Sequence, residues 1–251
     1  EEDLKYVIQQ FKAEGITDLI LDLRFNNGGS VELARYLAAS IAGTSHRSDV
    51  FMRMQRNSGA DEYIRFGDGD DLNLKSVRII CSEETASASE LIISGLRGID
   101  FPVKLFGSRT EGKNVGMEVQ EYKYGNKYYE FAPITFRSFN AKDWGDYADG
   151  IDPDVMLNNQ NSSYEDDIDN VFPYAFGDWD NFDFNYPLYW ALCDVQGVDP
   201  TTGEPVKRSG RAGLTRSSKD EIIRVPSVPL KRPAGTFGSL IYNKPEVENL
   251  Y

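Results

Sequence analysis

Ser87 lies in a run of small residues, Thr85–Glu90, between a predicted strand and a predicted helix. At the start of a helix, unpaired backbone N–H groups and the positive end of the dipole favour developing negative charge, as a nucleophile with an oxyanion product requires. The same residues have the spacing of a capping box, in which Ser87 and Glu90 satisfy free donors without any catalysis. The two roles are compatible, and the sequence leaves both open.

Lys113 is the candidate base for this nucleophile. It lies in the loop Thr110–Asn114, which follows another predicted strand, and the preceding Gly112 permits close approach of a second segment. A lysine accepts a proton at neutral pH only where burial or nearby positive charge lowers its pKa, because a solvated ammonium stays protonated. A lysine in a solvated loop is the competing interpretation.

A third candidate element is the turn Arg24–Gly29, which ends a predicted strand. Glycine and asparagine tolerate positive φ there, so a backbone N–H could face a carbonyl oxygen, although most such turns are only turns. The only histidine of the chain, His46, lies in a polar stretch and is expected on the surface. The chain therefore lacks the residues for a His-rich zinc site and has little material for a Ser-His-Asp triad.

The segments that carry these candidates follow an α/β pattern of helices and buried strands. The predicted helices and strands, in chain order, are a helix over Leu4–Phe11, a strand over Ile16–Leu23, a helix over Val31–Ile41, a strand over Val77–Cys81, a helix over Ala86–Leu96 and a strand over Val103–Phe106. Each candidate residue lies just after a strand. A mixed sheet is predicted, because further strands follow.

The second half of the chain begins with a predicted hairpin. Its strands, Val119–Tyr122 and Tyr128–Phe131, flank the turn Tyr124–Asn126. One more helix is predicted over Pro187–Val195, with its proline in the first turn. Beyond Gly197 the chain is rich in loop formers. We therefore expect a core over residues 1–197 and a C-terminal extension over residues 198–251.

The composition argues against a nucleic-acid-binding protein and against a membrane-spanning one. The net charge is −13, from 40 acidic and 27 basic residues, which argues against a nucleic-acid partner. The longest apolar runs fall far short of the roughly 20 residues that span a bilayer, so the chain is not expected to cross a membrane. The N-terminus carries no basic and apolar leader. A disulfide between Cys81 and Cys193 is compatible with the sequence but has no support from it.

Taken in order, the motifs of the chain resemble those of the C-terminal processing, or tail-specific, serine proteases. The motifs are Asp22–Arg24 with Asn27–Gly29, then Thr85–Glu90, then Gly112–Lys113, and then Gly150–Asp154. The order is far more specific than any single motif. The clear resemblance covers roughly residues 4–155, and a weaker similarity extends to the predicted helix near residues 188–195.

The resemblance implies a fold of the Clp protease/crotonase type and a serine endopeptidase without a metal or organic cofactor. It implies that Ser87 attacks the peptide carbonyl and that Lys113 takes its proton. It also implies an oxyanion hole formed by the backbone N–H of Ala88 and of the Gly28–Gly29 turn, with Gly29 as the preferred donor. Protein or peptide substrates and an extracytoplasmic location, in the cell envelope or periplasm, are further expectations.

Two departures from the family pattern bear on these expectations. Many members carry a glutamine four positions after the lysine, where this chain has Met117, so the group that orients Lys113 is expected to differ. The family also often carries a PDZ module ahead of the core. The residues before the first motif leave no room for one, so regulation by such a module is in doubt, or the module lies in sequence outside this chain.

Two other functions are compatible with the sequence. One is a non-catalytic binding protein of the same fold, in which Ser87 only caps a helix. The other is glycan or peptide binding through aromatic residues that alternate with acidic ones, although packing in the core also explains such residues. These aromatic residues are Trp179, Phe182, Phe184, Tyr186 and Tyr189.

Overall fold

A computed structural model describes residues 2–157 and 186–206 of the chain. Four α-helices lie within these residues: α1 (Glu2–Glu14), α2 (Val31–Ala42), α3 (Ala88–Gly98) and α4 (Tyr186–Gln196). The strands of the same region are β1 (Leu19–Asp22), β2 (Val50–Arg56), β3 (Glu62–Arg65), β4 (Val77–Cys81), β5 (Val103–Gly107), β6 (Val115–Met117), β7 (Gln120–Tyr124), β8 (Lys127–Phe131), β9 (Ile134–Phe139) and β10 (Val155–Met156). The predicted α/β class is confirmed.

A parallel sheet with the strand order β1-β4-β5-β10 forms the centre of the fold. The register pairs Ile79 with Leu21 on one side and with Leu105 on the other. Because every strand of this sheet runs in the same direction, the segments that follow β1, β4 and β5 all leave from its carboxyl edge. That edge is where open α/β sheets place their ligands.

A second, antiparallel sheet has the order β3-β2-β9-β6. Helix α3 packs between the two sheets and contacts α2. At the closest point, a Cβ added to Gly95 of α3 would lie 2.6 Å from the ring of Phe51 on β2, so only glycine fits there. Ile79, Ile93, Leu96 and Leu105 are fully buried in the resulting core. This packing fixes the start of α3 relative to both sheets.

Helix α4 covers the opposite face of the parallel sheet, where it packs against β1, β4 and β5. Asp194 of α4 accepts hydrogen bonds from Arg78 on β4, at 2.9 Å, and from Lys104 on β5. Burial raises the pKa of Asp194, but the hydrogen bonds and charges of Lys104 and Arg78 outweigh it and hold the pKa below its ordinary value. The helix predicted over Pro187–Val195 is therefore confirmed and belongs to the core.

The sequence predicted most of the parallel sheet and its helices. It predicted one mixed sheet, whereas the described strands form separate parallel and antiparallel sheets, and the antiparallel sheet was not predicted. Strand β4 has the predicted bounds, and the predicted hairpin corresponds to β7 and β8, whereas β1 is shorter than expected. Strands β2 and β9 carry Arg53, Arg56 and Arg137, which interrupt the apolar pattern. Pairing between distant segments stabilises these strands, so local periodicity gave no signal for them.

Three further predictions concern the two cysteines, a membrane-spanning helix and the C-terminal part of the chain. Cys81 and Cys193 are both buried and free. None of the described helices combines the length and apolar character needed to cross a bilayer. The aromatic residues Trp179, Phe182 and Phe184, and the extension beyond residue 206, lie outside the described residues. The division at residue 197 stays a prediction.

Candidate active site

Three segments that carry candidate residues meet at the carboxyl edge of the parallel sheet. Strand β1 leads into the Gly28–Gly29 turn, β4 leads into the segment with Ser87, and β5 leads into the loop with Lys113. Hydrogen bonds tie the three segments together. Ala86 N donates to Asn26 O at 3.1 Å, and Glu111 N donates to Thr85 O at 3.0 Å. The fold thus brings together segments that are far apart in the sequence.

Ser87 occupies the N-cap of α3 with an unusual backbone conformation. Its φ is 55° and its ψ is −116°, a combination that residues with a side chain rarely adopt. Strain of this kind persists only where the surrounding structure holds the residue in place, and it is concentrated at functional sites. The side chain is half-buried and takes part in a capping box with Glu90. In that box the hydroxyl oxygen accepts, so the hydroxyl proton is not used by the helix.

Gly28 contacts the backbone around Ser87 directly. A Cβ added to Gly28 would lie 2.7 Å from Ala88 N and 2.8 Å from both Ala86 O and Ser87 Cβ. Gly28 also has a φ of +99°, so both space and conformation require glycine at this position. The glycine turn therefore forms a wall directly beside the backbone of Ser87.

The N–H groups of this wall are not equivalent. Gly28 N donates to Asn26 Oδ1 at 3.1 Å within the turn. Gly29 N and Ala88 N donate to no acceptor among the described residues. A Cβ added to Gly29 would meet no atom within 4 Å, so the space around it is open. Gly29 and Ala88 are thus the two N–H groups left available to a carbonyl oxygen.

Ser89 fastens the glycine turn to α3. Its hydroxyl lies 3.0 Å from Asn26 O and 2.8 Å from Asn26 Oδ1, and it is buried. Because Asn26 Oδ1 also accepts the Gly28 N–H, one cluster of hydrogen bonds sets the position of the turn against the first turn of the helix.

Glu90 joins the Ser87 segment to the Lys113 loop. Its carboxylate is fully buried. One oxygen, Oε2, accepts the N–H groups of Ser87 and Lys113, each at 2.8 Å, while Oε1 accepts the Gly112 N–H at 2.8 Å and the Thr110 hydroxyl at 2.5 Å. Burial raises the pKa of Glu90, and these four hydrogen bonds oppose the shift by favouring the ionised form. The capping role predicted for Glu90 is therefore only part of what it does.

The Gly150–Asp154 motif reaches the site through Thr110. Thr110 Oγ1, which donates to Glu90, accepts the N–H of Ile151 at 2.8 Å, and Thr110 N donates to Ile151 O at 3.2 Å. Thr110 and Ile151 are buried. The fourth motif thus supports the lysine loop rather than adding a reacting group.

Lys113 is half-buried, and no hydrogen bond joins its Nζ to Ser87 Oγ within the described part of the chain. The structure brings the two backbones together through Glu90, and among the described residues no hydrogen bond joins the two side chains. Met117, at the position where many relatives carry glutamine, lies on β6 and is half-buried. The backbone bond to Glu90, rather than a side chain at position 117, holds the lysine loop.

The remaining candidates lie elsewhere or have structural roles. His46 contacts Asp49 at 2.7 Å and lines a separate surface cleft. Arg24 is buried and forms hydrogen bonds of 2.6–3.2 Å with Asp22, which stabilises the end of β1. Sequence reasoning did not assign Glu90 to the site. The sequence feature that could have identified Glu90 is its charge, because the residues around it in the predicted helix are small or apolar.

Most of the described region matches one known protein family. Residues 1–157 match the family model described as peptidase family S41. A probable CtpA-like serine protease of Staphylococcus aureus is 26% identical over 181 residues, which is 71% of this chain and 35% of that protein. That of Staphylococcus haemolyticus is 25% identical over 158 residues, 62% of this chain and 30% of the other. The chain spans about a third of the length of these relatives.

Two solved structures have a similar fold. A protein named as an S41 protease from Bacteroides fragilis matches with a TM-score of 0.64 and 24% identity, over 78% of this chain and 49% of that one. The photosystem II D1 C-terminal processing protease matches with a TM-score of 0.50 and 22% identity, over 62% and 38% of the two chains. The core of Clp protease/crotonase type predicted from the motifs is confirmed by these matches.

Proposed function

The chain belongs to peptidase family S41, as the motif resemblance predicted, and on that premise we propose that it is a serine endopeptidase with Ser87 as nucleophile and Lys113 as general base. The observation that carries the proposal is the shared acceptor: Glu90 Oε2 accepts the N–H groups of both residues. A helix cap alone would need no such bond to the Lys113 loop. The arrangement thus favours an enzyme over a protein that only binds.

In the proposed reaction, neutral Lys113 takes the proton from Ser87 Oγ as the oxygen attacks the carbonyl carbon of the peptide bond. The carbonyl oxygen becomes an oxyanion and accepts hydrogen bonds from the free N–H groups of Ala88 and Gly29. Collapse of this intermediate breaks the C–N bond, and Lys113 returns the proton to the leaving amine. Water then hydrolyses the acyl-enzyme by the same steps, with Lys113 as base.

Three features of the described residues support these roles. The strained backbone of Ser87 presents a hydroxyl whose proton the capping box does not use. The N-terminal end of α3 lies beside it and favours negative charge. The N–H of Gly28 already donates to Asn26 Oδ1, so Gly29 stays our preferred oxyanion donor together with Ala88. No metal or organic cofactor takes part in the proposed mechanism.

We propose exposed or C-terminal segments of proteins as substrates. The site lies at an open sheet edge, where an extended chain can approach Ser87, and a C-terminal processing protease has the same fold. We further propose that the protein works outside the cytoplasm, in the cell envelope or periplasm, as the family resemblance implies. Cell fractionation followed by immunoblotting tests the location; recovery in the cytoplasm alone would refute it.

The decisive test compares the cleavage of β-casein, an unstructured protein, by the wild type, Ser87→Ala and Lys113→Ala. Both variants should lose at least about 1,000-fold in rate, since removing either member of a nucleophile and base pair removes the chemical step. The matched controls are Ser45→Ala and Lys75→Ala, which change exposed side chains and should keep full activity. Cleavage by Ser87→Ala would refute the mechanism, and an inactive wild type that still binds β-casein would favour a non-catalytic binding protein.

A further inference from the structure

The hairpin β7–β8 carries an unusual concentration of exposed aromatic side chains. It forms a sheet of its own, with both strands exposed along their whole length. The register pairs Tyr122 with Tyr129 and Gln120 with Phe131. Side chains directly opposite one another lie on one face of a ribbon. One face therefore presents Tyr122, Tyr124, Tyr129 and Phe131, each between 43% and 71% exposed.

We call this surface the aromatic face; its remaining members are Gln120 and Lys127. The opposite face is polar and carries Glu121, Lys123, Tyr128 and Glu130. There, Lys123 Nζ lies 5.1 Å from the ring centroid of Tyr128. The two faces of one ribbon thus differ: charged groups surround the aromatic ring on the polar face, whereas four rings stand together on the other.

Four exposed aromatic rings grouped on one face of a ribbon form a candidate interaction surface. A two-stranded hairpin is only marginally stable by itself in water, so a partner on the aromatic face would also stabilise it. Among the described residues, no ring contact or hydrogen bond covers the side chains of the aromatic face. Within the described part of the chain, the aromatic face is therefore uncovered.

The position of the hairpin indicates which partner it binds. Strand β6 begins two residues after Lys113, and β7 begins three residues after β6 ends. The hairpin therefore continues the ribbon that β6 forms with β9 and starts at most about 25 Å from Lys113 along the chain. Each strand adds roughly 17 Å. An extended polypeptide bound at Ser87 would thus meet the hairpin within about a dozen residues.

The size and charge of the surface argue against a second copy of the chain. A face of two five-residue strands measures roughly 17 Å by 10 Å, far less than the approximately 800 Å² that each partner contributes to a stable interface. The chain also has a net charge of −13, which disfavours self-association. A single extended strand fits the width of the aromatic face, and tyrosine suits varied partners because its rigid ring offers both apolar area and a hydroxyl.

We propose that the aromatic face is a docking strip for the unfolded part of a polypeptide substrate that flanks the scissile bond. The inference rests on the proposed peptidase function and adds the substrate class: long unstructured chains with apolar side chains, in preference to short peptides. An eight-residue peptide centred on Ser87 extends only about 14 Å to either side, which is shorter than one strand of the strip, so it can contact the strip only in part. A peptide of 30 residues reaches it.

The test compares these two lengths. Cleavage sites in β-casein are mapped by mass spectrometry, and an eight-residue and a 30-residue peptide are made around one site. The variant Tyr122→Thr/Tyr129→Thr removes a cross-strand pair from the aromatic face and keeps strand propensity. The control Tyr128→Thr changes the polar face of the same hairpin. We expect kcat/KM for the long peptide to fall roughly tenfold through KM, in line with the burial of one or two aromatic rings.

For the short peptide, and for Tyr128→Thr with either peptide, the change should stay below about twofold. An equal loss on both peptides, or no loss on the long one, would overturn the docking strip. If the double variant does not fold, Tyr124→Lys at the exposed tip replaces it with the same expectation. An aromatic-face variant that changes the oligomeric state but not the cleavage of the long peptide would also overturn it.

Direct binding separates this inference from the function on which it rests. The fluorescence anisotropy of a labelled 30-residue β-casein peptide is measured with Ser87→Ala, with and without the aromatic-face substitutions. Binding that the substitutions weaken about tenfold supports the strip even if the wild type cleaves nothing. Binding that they leave unchanged overturns the strip even if the wild type is an active peptidase.

Discussion

Glu90 Oε2 accepts the backbone N–H of Lys113 at 2.8 Å, although the two residues lie 23 positions apart. The same oxygen accepts the N–H of Ser87 at the same distance. Because one fully buried atom holds both segments, any displacement of it moves the proposed nucleophile and the proposed base together. Glu90 is therefore a positioning residue, since it acts through two others and does not itself touch the reacting atoms.

The substitution Glu90→Gln should damage the site severely. One of the two oxygens, each of which now serves two donors, would become an amide nitrogen, leaving two buried donors unpaired at about 1–3 kcal/mol each. We expect kcat/KM for β-casein to fall at least about 100-fold and the free energy of unfolding to fall by roughly 2–6 kcal/mol. Cleavage assays and urea unfolding measure the two quantities.

The control is Glu111→Gln, which changes an exposed carboxylate two residues before Lys113. It should leave both quantities unchanged. A Glu90→Gln enzyme as active as this control would show that the shared carboxylate does not position the site.

Alanine substitutions of the two turn glycines should differ in effect. In Gly28→Ala the new Cβ would lie within 2.8 Å of Ala86, Ser87 and Ala88, so the turn must move away from the nucleophile. Gly29→Ala meets no atom within 4 Å and adds only the strain of its positive φ. We expect kcat/KM to fall by more than about 100-fold for the first and by less than about tenfold for the second. Equal losses in both variants would contradict the packing of Gly28.

Both cysteine thiols should resist modification in the folded protein. Burial raises the pKa of Cys81 to about 12, so thiolate is scarce at pH 8, and Cys193 is also buried. With Ellman's reagent we expect almost no reaction in native protein and two thiols per chain in guanidinium chloride. A fast reaction in native protein would contradict the burial, and no reaction in guanidinium chloride would indicate a disulfide.

Asp194 should make stability depend on pH. Its folded pKa lies below its unfolded value of about 3.9 because Lys104 and Arg78 favour the carboxylate. A lowered folded pKa contributes stability that is present above the unfolded pKa and is lost as the pH falls through the folded value. At pH 7, Asp194→Asn should lower the free energy of unfolding by roughly 1–2 kcal/mol, since the ion pairs are only partly buried.

The difference between Asp194→Asn and the wild type should shrink towards pH 3. Urea unfolding at both pH values measures it, and Glu14→Gln, on an exposed carboxylate at the end of α1, serves as the comparison for a site away from the sheet. A constant difference at both pH values would mean that the ion pairs do not account for the lost stability.

The short-range features of this protein follow from its sequence. Strand β4 and helices α2 and α4 were predicted because apolar spacing and flanking glycine or proline act over a few residues. The order of the motifs also predicted the family, since four short patterns at defined positions rarely occur together by chance. These signals are local, and each can be read without knowledge of the rest of the chain.

Only the tertiary structure decided how the motifs meet. Three contacts depend on the register of β1, β4 and β5. Glu90 joins Ser87 to Lys113, and Gly28 rather than Gly29 packs against the nucleophile. Thr110 links the fourth motif to the site. The antiparallel sheet with its arginine-rich strands was likewise missed. Such contacts join residues that are distant in sequence, and their energy comes from burial and hydrogen bonds that exist only once the sheets and α3 have packed.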